Sequence, residues 1–245
     1  MTHEERMVLA QEIAGRIVEK YGTNIIGIVV YGSVAKHVDT EHSDLELWVA
    51  TTEAIPSRDL VFIYRGCAVE VFYGPAQLFL DDAAAVNPMW PIRADMRRSY
   101  LVLFERGEFF SHLQAATRDL QAEDFDKAIR EQMLWTHQII GKLRNASAQM
   151  DDYGLLAAGR DFVFSTALLI GLANRRYYPG QRGLYRLAQQ MPMQPANYGP
   201  LLDRAGGFTT HNSAEVYSAA LTLWNNVQAF VANMGIDWDK DDLAI

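Results

Sequence analysis

Asp44 and Glu46 stand two residues apart, directly after Ser43, which lies eleven positions beyond Gly32 of a Gly32-Ser33 pair. On a strand, alternation puts both carboxylates on one face and turns Leu45 and Leu47 to the core. Neighbouring carboxylates raise each other's pKa and repel unless something positive lies between them. An oxygen-only pair suits Mg²⁺, which usually takes one or two carboxylates together with substrate phosphates. Gly32 supplies the other half: without a Cβ, it lets a phosphate approach the backbone, where the following N–H groups and the Ser33 hydroxyl can bind its oxygens. These residue types at this spacing point to metal-assisted chemistry on a nucleoside triphosphate. Asp44 and Glu46 would be the metal ligands, with Gly32, Ser33 and Ser43 around the phosphates.

The elements that must position these groups follow from periodicity. The apolar run 25–31 reads as a buried strand ended by Gly32-Ser33; a short polar helix or turn follows, and a second strand covers 45–50. Ahead of them, residues 4–20 carry apolar positions at helical spacing, with Thr2 as N-cap and Glu5 three positions on, and Gly22 stops the helix. Strands at 60–64 and 67–73, joined at Arg65-Gly66, read as a hairpin. Glu70 shares a face with Ala68 and Phe72 while Val69 and Val71 take the other, so a carboxylate sits in an otherwise apolar strand. That is costly unless it is paired or metal-bound. Cys67, in the same strand, reads as core. Residues 76–85 and 109–120 are expected to be helical, with a strand at 100–104. Arg93, Arg97 and Arg98 read as a solvated helix face. A boundary at Gln121-Ala122 separates 1–121 from 122–245.

Beyond that boundary no strand pattern recurs. Helices are expected at 123–148, 153–174, 184–190, 200–205 and 213–234, a helical bundle, and the acidic stretch 237–242 reads as a frayed end. On the first of these helices Glu131, Trp135, Gln138 and Lys142 fall on one stripe at about 100° per residue. The expected fold class is α/β (α+β): an N-terminal domain with a small mixed sheet and flanking helices, then a C-terminal helical bundle.

Gly-Ser followed by Ser-Asp-x-Glu at a second strand start resembles the signature of the polymerase β-like nucleotidyltransferases. Glu4–Met7, Ala50–Glu53, Trp90-Pro91, Leu169–Leu172 and above all Gly141-Lys142-Leu143-Arg144-Asn145 resemble stretches of the kanamycin nucleotidyltransferase-like aminoglycoside 4′-O-nucleotidyltransferases, in order along most of the chain. The resemblance implies transfer of a nucleoside monophosphate, AMP, from Mg²⁺-bound ATP or another NTP to the 4′-hydroxyl of an aminoglycoside. It also implies a homodimer with shared active sites. It assigns Glu70 as third carboxylate, Lys142 to the triphosphate, and Lys36 to a position where relatives carry a basic residue. In the family a glutamate one helical turn before the lysine is the proposed general base, and Gln138 stands there in this chain. An amide cannot accept the hydroxyl proton at neutral pH. Gln138 can still hydrogen-bond the sugar. Glu131 shares the face but lies roughly 10 Å away along the helix, and His137 points about 100° around it, so Glu70 is the leading candidate base. Acidic residues near the cleft, among Glu53, Asp59, Asp81 and Asp82, are expected to bind the drug's ammonium groups.

The 245 residues, 49% of them hydrophobic, allow full cores. One cysteine excludes an internal disulfide and a cysteine-rich zinc site. The N-terminus lacks a signal-peptide layout and no apolar run is read as reaching the ~20 residues of a membrane helix, so a cytoplasmic protein with no membrane partner is expected. A net charge of −8 argues against gripping a long nucleic acid and suits a polycationic small molecule. Two rivals stand beside this reading: a nucleotidyltransferase with a protein or tRNA acceptor, and a silent nucleotide-binding module that has lost its base.

Overall fold

The computed structural model describes residues 1–239; of the stretch read as a frayed acidic end, positions 240–242 lie outside the described residues. The chain divides into two compact units, Met1–Ala85 with Arg93–Leu120, and Val86–Ile92 with the chain from Gln121 onward.

The first unit is a five-stranded sheet with helices on both faces. Its strands are β1 (Ile25–Val30), β2 (Leu45–Thr51), β3 (Arg58–Tyr64), β4 (Cys67–Pro75) and β5 (Leu101–Glu105), in the order β3-β4-β2-β1-β5. β2 and β4 run parallel and the other neighbours antiparallel, so the sheet is mixed as expected. Helix α1 (His3–Tyr21) begins with the capping box foreseen for Thr2 and Glu5. Its Leu9, Ile13 and Ile17 pack with Val30, Leu45, Leu47, Val69 and Val71 on one sheet face, and Cys67 is buried in the same core. On the other face Trp48 and Val29 pack with Phe79 of α3 (Ala76–Ala84) and with Phe109, Phe110 and Leu113 of α5 (Phe109–Ala116). Alternation along β2 thus sends Leu45 and Leu47 to one core and Trp48 to the other, and Glu46 shares the Trp48 face.

In the second unit α6 (Ala122–Ala148), α7 (Asp152–Ala173), α8 (Leu184–Ala188), α9 (Tyr198–Ala205) and α10 (Ser213–Asn233) form the expected bundle. The short α4 (Trp90–Arg93) starts in this unit, where the Trp90 ring meets Phe125 edge-on at 4.9 Å and the Pro91 carbonyl accepts from the Tyr178 N–H at 2.6 Å. Between α6 and α7 lies a buried polar knot. The Gln132 amide donates to Ser165 Oγ at 2.6 Å, and that hydroxyl lies 2.7 Å from Thr136 Oγ1. One expectation is corrected: α7 is long and apolar enough to cross a membrane by length and composition, since Arg160 and Asp161 are the only charged residues between Leu155 and Ala173. That apolarity serves packing, since 72% of its most apolar window is buried among the neighbouring helices.

Candidate active site

Glu46 and Glu70 are brought side by side because the parallel β2–β4 register pairs them directly. Asp44 lies one residue before β2 begins, two positions from Glu46. The three carboxylates interact: burial first, then Asp44 and Glu70, push the Glu46 carboxyl up to about 7, against the opposing pull of Lys36. Gly32 opens α2 (Gly32–Ala35) at a φ of +71°, and a Cβ there would stand 1.8 Å from Glu46 Oε2. The glycine is therefore needed twice, for its left-handed backbone and for the room its missing side chain leaves to the carboxylate. The Tyr31 N–H donates to the Glu46 carbonyl at 3.0 Å, locking the turn to β2.

The segment from Ser33 to Asp44 is held by α1. Arg6, 1% exposed, pairs with Asp39 and donates to the Thr40 carbonyl at 2.8 Å, while His3 Nδ1 lies 2.8 Å from the other Asp39 oxygen. Ser43 Oγ accepts from the Thr40 N–H at 2.9 Å, so this hydroxyl closes the turn that delivers Asp44. Lys36 is half-buried and ion-paired with buried Asp95.

Beside Glu70 opens a cavity of about 280 Å³ on the Trp48 face. Asp59, Asp82, Tyr31 and Arg97 also line it. Of the four acidic positions expected to meet ammonium groups, Asp59 and Asp82 are brought here, whereas Asp81 accepts from the exposed Gln77 amide and Glu53 lies in the exposed β2–β3 connection. The arginine expectation is corrected. Arg97 is buried, bonds Asp82 at 3.0 Å and lies 4.8 Å from the Phe79 ring centroid, and Arg98 donates to the Thr117 carbonyl; Arg93 alone is exposed. A guanidinium can stack on aromatic rings while pairing with a carboxylate, which suits it to burial in a way that charge periodicity does not reveal.

Tyr31 is not singled out by the sequence. Burial, then Glu46 and Glu70, raise the Tyr31 phenol above its ordinary value, while Arg97 opposes the shift. The available signal was position: Tyr31 directly precedes the Gly-Ser turn.

In the second unit α6 buries Phe125, Ile129, Met133, Ile140 and Leu143 and exposes the opposite stripe. Gln138 and Lys142 are exposed on it, Trp135 is 58% exposed and Glu131 half-buried. His137 faces elsewhere, its ring 6.0 Å from that of Trp224.

Among the described residues, no three His, Cys, Asp or Glu side chains gather into a group that could hold a metal by themselves. The donor set still fits Mg²⁺, which fills most of its octahedron with water and phosphate oxygens around one or two carboxylates. The elevated Glu46 pKa marks a site where negative charge lacks compensation, and a divalent cation would relieve it.

The family model described as the KNTase C-terminal domain matches residues 107–237, more than half of the chain. Two curated proteins named aminoglycoside nucleotidyltransferase (4′), from Staphylococcus aureus and from a Bacillus species, are each 27% identical over 238 residues, covering 96% of this chain and 93% of theirs. The fold is similar to the crystal structure of a nucleotidyltransferase-like protein from Exiguobacterium sibiricum 255-15, with a TM-score of 0.60 at 12% identity over 89% of this chain and 74% of that one.

Proposed function

The chain belongs to the KNTase C-terminal domain family, and from that premise we propose that it transfers AMP from ATP to the 4′-hydroxyl of an aminoglycoside, releasing pyrophosphate and inactivating the drug. The observation that carries this reading is the Glu46–Glu70 register pair with Asp44 beside it, at the foot of the Gly32 turn. It stands in a chain that aligns almost end to end with enzymes of that name.

Asp44 and Glu46 would hold Mg²⁺, which when bound neutralises triphosphate charge and polarises the α-phosphoryl group. Gly32 and Ser33 seat the phosphates. Glu70, the register neighbour of Glu46, takes the proton of the acceptor hydroxyl as its oxygen bonds to the α-phosphorus and the bond to the β-phosphate oxygen breaks. Asp59 and Glu70 give the adjoining cavity, in which Asp82 is paired with Arg97, acidic groups that would meet the acceptor's ammonium groups. Lys142 keeps the role the resemblance gives it, toward the triphosphate; the Gln138 amide hydrogen-bonds the sugar, and Glu131, roughly 10 Å along the helix, would meet only a differently seated substrate. A homodimer with shared sites belongs to the same proposal.

The test is pyrophosphate release by purified protein with Mg²⁺ and ATP, comparing an aminoglycoside that carries a 4′-hydroxyl with a 4′-deoxygenated one. Release with the first only is the expected result. Release with both moves the hydroxyl, and release with neither, from protein that binds ATP, sinks the antibiotic reading. Glu70→Gln should lower turnover by a factor of about 10² to 10⁴ if it is the base. A fall of less than about tenfold would return that role to another group.

A further inference from the structure

On the side of the sheet away from Glu46 and Glu70, a cleft of about 300 Å³ opens between α1 and the β3–β4 hairpin. Strand alternation separates it from the candidate active site: Val71 and Tyr73 line this cleft, whereas Glu70 and Phe72 line the cavity beside the carboxylates. Its walls are apolar, from Ile13 and Ile17 of α1 and from Leu60 and Phe62 of β3, the last two each 39% exposed. β3 is the edge strand of the sheet.

The rim is cationic. Arg58 donates to Tyr21 Oη at 2.5 Å and its guanidinium lies 4.6 Å from the Tyr73 ring centroid; Lys20 Nζ lies 5.2 Å from the Tyr21 centroid. Arg58 Nε is buried without a hydrogen-bond partner. Arg16, on the same rim, is paired with Glu12 at 2.7 Å, but among the described residues no carboxylate pairs with Arg58 or Lys20. In a chain of net charge −8, with acidic groups in excess, two cations left without a carboxylate at the mouth of an apolar cleft are complementary to an anion with an apolar body. The hydrogen bond from Arg58, with a smaller contribution from Lys20, holds the Tyr21 phenol below its ordinary value.

We propose that this cleft is a binding site for a small amphipathic carboxylate, its head group held by Arg58 and Lys20 and its apolar body laid against Ile17, Leu60 and Phe62. A guanidinium binds a carboxylate by charge-assisted hydrogen bonds. The volume sits at the small end of the range for ligand sites.

Calorimetric titration with octanoate tests it, with octylammonium as the same apolar body carrying the opposite charge. Octanoate should bind and octylammonium should not. Arg58→Gln should weaken octanoate by about tenfold or more, the loss expected when a charged hydrogen-bond partner is removed. Lys20→Gln, on the exposed side of α1, should weaken it less and serves as the check if Arg58→Gln unfolds. Equal binding of both probes, or octanoate affinity unmoved in a folded variant, overturns the proposal. So does a dimer that dissociates on Phe62→Ser while neither form binds octanoate, since the cleft would then belong to a second copy. The titration uses neither ATP nor aminoglycoside, so its failure leaves the nucleotidyltransferase reading untouched, and the converse holds.

Discussion

Glu46 and Glu70 are register partners on neighbouring parallel strands, and burial of Glu46, with Asp44 and then Glu70 beside it, gives the molecule a built-in pH dependence. Glu46 titrates near 7 in the folded chain against an ordinary 4.5, so folding takes up a proton between those values. Below about pH 4.5 the carboxyl is protonated in both states and costs nothing. As pH rises through about 7 the folded protein must carry the charge in an unfavourable place, and stability is lost. Metal-free protein in chelator should therefore unfold at a lower temperature at pH 8 than at pH 5.5. Glu46→Gln should flatten that slope and exceed the wild type at pH 8. Parallel curves for the two proteins would mean that Glu46 is ionised throughout.

Gly32→Ala separates effects on the site from effects on the fold. The substitution adds left-handed strain of roughly 1–2 kcal/mol. It also places a methyl against Glu46 Oε2, and a carboxylate at the end of a side chain yields more easily than backbone. The fold should survive with a modest loss of stability, while the Glu46 carboxylate is displaced. Turnover should fall by a factor of about 10² or more, as expected when a charge-stabilising group moves by an ångström. Circular dichroism and a melting curve check the first part and pyrophosphate release the second. Retained turnover would mean that Glu46 works from a different position.

The divide between what was legible in the sequence and what was not runs along a physical line. Strands, helices and the carboxylate cluster were legible because period-2 alternation around Glu46 and Glu70 and the 3.6-residue period of α6 are local signals. The N-cap at Thr2 was equally local. Arg97 was misread because its burial depends on Trp48, Phe79 and Asp82, which are distant in sequence and share no pattern with it. Tyr31 was overlooked because an aromatic ending a core strand looks like core until the carboxylates are seen beside it. The length of α7 was underestimated as an apolar element because Arg160 and Asp161 interrupt it, although both are exposed on a helix whose other faces are buried.

Asp59 and Asp82 line the same cavity but should respond differently to loss of charge. Asp82 bonds Arg97, whose side chain is 7% exposed, and Arg97 Nη1 already has no partner. Asp82→Asn leaves a buried guanidinium poorly compensated and should cost about 3 kcal/mol of stability. Asp59 is exposed, so Asp59→Asn should leave the melting temperature within a degree or two, as surface substitutions usually do. If the acceptor is polycationic, Asp59→Asn should raise its KM while the KM for ATP stays put. Steady-state kinetics on both variants would decide. An unchanged acceptor KM in Asp59→Asn removes that residue from the drug site.

The buried knot between α6 and α7 tests whether polar groups in the second unit stabilise it or only specify its packing. Ser165 Oγ accepts from the Gln132 amide and meets Thr136 Oγ1, and Thr136 donates to the Gln132 carbonyl at 2.7 Å. Ser165→Ala strips a partner from two buried groups and should cost about 1–3 kcal/mol, the usual penalty for buried hydrogen-bonding atoms left short. Removing all three polar side chains at once, as Gln132→Met, Thr136→Val and Ser165→Ala, leaves nothing unsatisfied and keeps the volumes close. The combined variant should therefore be more stable than the sum of its parts predicts, and by a coupling that neighbours in one network show and distant sites do not. Urea unfolding of the single and triple variants measures it. Strict additivity would mean that these hydrogen bonds act independently and that the knot is stabilising in itself; recovery toward the wild-type midpoint would assign its value to fixing the register of α6 on α7.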